Sequence, residues 1–135
     1  MRAYRWPDRL GMIIAIGCGL HCAAMTLVFL TWPALWLNRS LWERGVWKQL
    51  MVLEWSLLGL AWLLILTASF NGWFTHRRWA PSLIGLTGAG LMTVAIVSPL
   101  HTLGYLGSSL ALAGGILVAV AHWRNLQLLR RCRPG

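Results

Sequence analysis

The sequence predicts an all-α fold, an integral membrane bundle of four spanning helices that makes residues 1–135 a single domain. Three observations carry this prediction. Of the 135 residues 58% are hydrophobic and only 11% charged, whereas about a quarter of a soluble globular chain is charged. The apolar residues gather into four runs close to the roughly 20 residues that a helix needs to cross ~30 Å of hydrocarbon. The basic residues sit at the ends of these runs and not in an aromatic-interleaved patch, so the net charge of +9 reads as a topology signal and no nucleic-acid partner is expected.

The first run, residues 10–30, places Gly11, Ala15, Gly19 and Ala23 at successive i+4 steps. In lipid, helices associate through close backbone approach at small residues, so this stripe predicts a helix-contact face. The second run, residues 50–70, carries Glu54 near its start. The third, residues 83–100, ends at Ser98-Pro99, where proline lacks an amide donor and clashes with the preceding turn. The fourth, residues 103–123, follows so closely that the two must form a tight helical hairpin. Gly85, Ala89 and Thr93 form the stripe of the third span, and Gly107, Ala111, Gly115 and Ala119 that of the fourth. The same stripes offer a surface for a homo-oligomer.

Arg2, Arg5, Arg9, Arg77, Arg78, Arg124, Arg130, Arg131 and Arg133 fall on one side of the predicted bundle, against Arg39, Arg44 and Lys48 on the other. Under the positive-inside rule both termini are cytoplasmic, an N-in, C-in topology. A cleaved signal peptide is not expected, because the first apolar run exceeds a 7–15-residue h-region and no A-x-A site follows. Trp6, Trp32, Trp36, Trp42, Trp47, Trp73, Trp79 and Trp123 lie near span ends, where an amphipathic ring is stabilised between water and acyl chains. Trp55 and Trp62 lie deeper and are either packing or lipid-facing residues.

The residues that could carry chemistry are few. Gly17-Cys18-Gly19-Leu20-His21-Cys22 interrupts the first apolar run with two thiols and an imidazole at i, i+3 and i+4, hence on one helix face. At about 100° per residue both cysteines fall within ~60° of the small-residue stripe, on the helix-contact side. A single buried cysteine behaves as a small apolar residue; a Cys/His cluster in a span is a functional-site candidate. Thiolate and neutral imidazole are also ligands that soft and borderline metals prefer, which admits mercury, copper or zinc. The spacing is neither C-x-x-C nor C-x-x-C-H, which argues against thiol oxidoreductase and covalent haem chemistry.

Among the three acidic residues Glu54 is the expected contributor, about four residues into the second span and ~6 Å below the outer interface, either as an interfacial carboxylate paired with Lys48 or Arg44 or as a metal ligand. His101 in the outer turn, His122 at the end of the fourth span and His76 beside Arg77 and Arg78 are further candidate ligands. An isolated interfacial histidine is more often solvated or capping. Cys132 lies in the C-terminal tail. No nucleotide-binding loop is present, which excludes ATP hydrolysis by this chain alone.

Asp8-Arg9-Leu10-Gly11 leading into Cys18-Gly19-Leu20-His21-Cys22, then Pro33, Glu54, His76-Arg77-Arg78 and Ala121-His122-x-x-Asn125, resembles the MerC-domain family of small four-span membrane proteins. The resemblance covers nearly the whole chain. It implies a multi-pass carrier of the bacterial inner membrane, not an enzyme, with mercuric ion as substrate and no permanent cofactor, whose paired span-one thiols correspond to Cys18 and Cys22. The expected route takes a cation from Glu54 and His101 to Cys18, His21 and Cys22, then inward toward His122, His76 or Cys132. Two other readings stand beside it: a membrane thiol redox protein cycling Cys18 and Cys22, and a non-catalytic assembly subunit working through the small-residue stripes.

Overall fold

The computed structural model describes residues 6–32, 45–98 and 105–131. These form four helices and no strand: α1 (Trp6–Thr31), α2 (Val46–His76), α3 (Ala80–Val97) and α4 (Tyr105–Arg131). Each is long and apolar enough to cross a membrane. The helices outrun the apolar stretches: α2 continues to His76 and α4 to Arg131, so their last turns carry polar and basic side chains beyond the hydrocarbon. At 1.5 Å per residue the 27-residue α4 is about 40 Å long, against a ~30 Å core.

Chain direction alternates. The start of α1, the end of α2, the start of α3 and the end of α4 meet at one end of the bundle, because Asp8, His76 and Asn125 are joined there by hydrogen bonds. The turn from α2 to α3 uses Arg77 in the left-handed region (φ 51°). The most extensive contacts are those of α4 with α1 and with α3.

Small residues permit these contacts, although the backbone crossing of α3 with α4 falls one residue off the predicted stripes, at Gly88 and Gly114 and not at Ala89 and Gly115. A Cβ added at Gly88 would lie 2.6 Å from the Gly114 carbonyl oxygen, and one at Gly114 equally close to the Gly88 oxygen, so α3 and α4 cross backbone to backbone there. Ala15, Cys18, Cys22, Leu58, Ile65, Ala89, Met92, Ala111, Val118 and Ala121 belong to one continuous core. The α1 stripe departs from its predicted course at one residue. Gly11 and Ala15 are buried, but Ala23 is exposed. Steps of i+4 advance about 40° each, so three of them rotate a stripe by ~120°, whereas Cys18 and Cys22 lie seven and eleven residues beyond Gly11 and within ~20° of it. The contact face of α1 is therefore Gly11, Ala15, Cys18 and Cys22. Of the inner tryptophans, Trp62 donates to the Thr93 hydroxyl (3.0 Å) and packs, while Trp55 faces outward.

Candidate functional site

Cys18 and Cys22 are free thiols, 6% and 7% exposed, one helical turn apart on the buried face of α1. The two side chains are close enough to interact with each other. Across from them α2 brings up Glu54, whose carboxylate is close enough to act electrostatically on both thiols and lies 3.7 Å from Nε2 of His21. Counting residues sets Glu54 about 6 Å from Cys22 in depth, and the long His21 side chain spans that difference. Nε2 of His21 is buried and has no hydrogen-bond partner. One turn further on, the Thr26 hydroxyl donates to the Cys22 carbonyl oxygen (2.8 Å), which satisfies the hydroxyl within the helix. Cys18, His21, Cys22 and Glu54 thus lie together, on two helices.

Of the remaining predicted ligands, only His76 and His122 are among the described residues. His101 and Cys132 are outside the described residues. His76 and His122 stand at the end of the bundle where the four helices meet, and each is committed to a different partner. The Arg78 amide donates to Nδ1 of His76 (3.1 Å), which leaves Nε2 to carry the ring proton and donate to Oδ1 of Asn125 (2.7 Å). Asn125 Nδ2 in turn donates to both oxygens of Asp8 (3.0 Å each), and Oδ1 of Asp8 accepts a further bond from Nδ1 of His122 (3.0 Å). Along this chain every donor meets an acceptor. Asp8 and His122 are fully buried and Asn125 is 4% exposed. The other ring nitrogen of His122, Nε2, has no partner and rests directly on Gly11, where any side chain would collide with the ring. A narrow cleft beside it, lined by Ser69, Pro81 and Ser82, has no room for a water molecule.

Two expectations change as a result. Glu54 is not the one acidic residue of consequence, because Asp8 is the more deeply buried carboxylate and ties α1 to α4. His122 is neither solvated nor a simple helix cap. The signal for Asp8 in the sequence was faint, since an acid in the first turn of a helix is ordinarily read as balancing the helix dipole. Nor do the predicted ligands assemble into one polydentate centre: among the described residues no three His, Cys, Asp or Glu side chains are grouped so as to hold a metal ion.

The family model described as MerC mercury resistance protein matches residues 8–127, an interval that contains both polar clusters. No curated protein and no solved structure matches the chain.

Proposed function

The chain belongs to the MerC mercury resistance family, and from that premise we propose that it carries mercuric ion across the membrane on the Cys18–Cys22 thiol pair. The observation that carries this reading is the pair itself: two free thiols side by side in the bundle core, with a carboxylate and a partnerless buried imidazole nitrogen as neighbours.

Charge and ligand number favour this cargo over the alternatives. A doubly charged cation displaces two thiol protons, two metal–sulfur bonds form, and the product is electrically neutral. Neutrality matters because an uncompensated charge within a span is costly. Cuprous ion on the same two thiolates would leave one net negative charge, and zinc ordinarily takes four ligands, against two thiols flanked by a single imidazole and carboxylate here. The displaced protons need acceptors, and Glu54 and His21 are the nearest bases. Glu54 also attracts the cation as it approaches, raising its local concentration beside the thiols. With both termini cytoplasmic, as the distribution of arginines predicts, the ion reaches Glu54 from the outer face and leaves inward. His76 and His122, being engaged by Asn125 and Asp8, brace the helices in this account and are not ligands.

The test is mercuric-ion uptake into proteoliposomes. Wild-type protein should load the vesicles, and Cys18→Ser with Cys22→Ser should reduce uptake to the protein-free background while the variant inserts normally, since serine has similar volume but is a poor soft-metal ligand. Uptake undiminished in the double variant would remove the thiol pair from the transport path.

A further inference from the structure

Outside the two polar clusters, one feature of the bundle lacks its chemical complement. At the end where α1 starts, the first turn of α3 and the last two turns of α4 enclose a hollow of about 400 Å³, lined by Arg78, Pro81, Trp123, Arg124, Gln127 and Arg131 among others. Three guanidinium groups from two segments therefore surround one space. The chain has too few acids to neutralise them. Of its three acidic residues, Asp8 is buried against His122 and Asn125, Glu54 faces His21, and Glu43 is outside the described residues. No ion pair between these arginines and a carboxylate side chain occurs among the described residues.

Depth and shape add to the charge argument. The 40 Å length of α4 puts the stretch from Arg124 to Arg131 at headgroup level, just past the hydrocarbon. Trp123, at the top of the hollow, is half exposed, as befits a ring at the membrane boundary. The N-terminus of α3 opens on the same space with no side-chain cap, so its positive dipole end adds to the arginines. Arg78 is held in position by the left-handed turn at Arg77 and by the bond from its amide to His76.

We propose that this hollow is a binding site for the phosphate headgroup of an anionic phospholipid, gripped by Arg78, Arg124 and Arg131 with Trp123 against the glycerol backbone. Guanidinium forks match phosphate oxygens two at a time, and basic pockets between spanning helices suit such headgroups. The site does not depend on the metal reading, nor on which face of the membrane it occupies, because anionic lipid is the natural counter-charge at either.

Native mass spectrometry of the detergent-solubilised protein titrated with phosphatidylglycerol or phosphatidylcholine tests the proposal. Wild-type protein should retain one phosphatidylglycerol in preference to phosphatidylcholine. Each of Arg78→Gln, Arg124→Gln and Arg131→Gln should weaken that retention about fivefold, and the three together should abolish the preference. The control is Arg9→Gln with Arg130→Gln, which removes two exposed charges outside the hollow and should leave retention unchanged. An equal loss in the control would mean generic surface charge and would overturn the site. Displacement of the lipid by an equal concentration of inorganic phosphate would reassign it to a free anion and overturn the lipid. All of these arginines are exposed, so helical circular dichroism should be the same in every variant.

Discussion

Two polar clusters share helix α1, roughly three turns apart, and they are bonded in opposite ways. The Asp8 cluster ties α1, α2 and α4 through an unbroken sequence of hydrogen bonds, with Asp8 and His122 sealed from solvent. The Cys18 cluster lies on α1 and α2, where His21 approaches Glu54 at 3.7 Å and the two thiols carry no disulfide. In hydrocarbon a polar group that has partners holds helices together, and one without them costs stability unless something else is gained. The nitrogen left without a partner in the Asp8 cluster, Nε2 of His122, is sealed against Gly11 beside a cleft with no room for a water molecule, so it offers a ligand no place. The Cys18 cluster instead keeps two free thiols, the ligands that soft metals prefer, and on this difference we read the first cluster as a brace and the second as the proposed cargo site.

The comparison can be broken at either cluster. The largest effect on folding should come from Asp8→Ala, which leaves His122 and Asn125 buried without their acceptor. The expected destabilisation is about 3 kcal/mol, read as a lowered midpoint in detergent unfolding, and the fraction still folded should bind mercuric ion as wild type does. Loss of metal binding without loss of stability would transfer Asp8 to the cargo site. At the other cluster Glu54→Gln should slow uptake on the order of tenfold, consistent with the loss of local cation attraction, and weaken equilibrium binding far less. Stopped-flow uptake beside a titration of the same variant separates the two, and equal losses would make the carboxylate a direct ligand. The smallest effect should follow Trp62→Phe, which forfeits one interhelical bond to Thr93. A shift of about 0.6 kcal/mol is expected, typical of such bonds in lipid; no shift would make Trp62 a packing residue only.

How much of this was legible in the sequence follows from the range of each interaction. The four spans and the buried orientation of Cys18 and Cys22 depend on hydropathy and on a helical repeat, which are local and written in consecutive residues. The exposure of Ala23 shows the limit of even that reading, because an i+4 stripe turns away from its own contact face. Pairing between helices is not local. Asp8 and His122 stand 114 residues apart, and nothing in either neighbourhood marks the other as its partner. Glu54 could be placed in depth by counting, but its approach to His21 depends on how α1 and α2 rotate against each other. Three basic residues at the end of a span announce topology; that Arg78, Arg124 and Arg131 line one hollow emerges only when α3 is packed on α4.

X-ray absorption at the mercury edge reads whether the thiol pair of α1 holds the cargo. The sample is the purified Cys132→Ser protein, loaded with mercuric ion and washed, which leaves Cys18 and Cys22 as its only thiols. One ion per chain bound by two sulfur atoms is expected, and no retained ion when Cys18→Ser and Cys22→Ser are added. An ion coordinated by nitrogen or oxygen alone, or one retained equally by the variant without thiols, would contradict it.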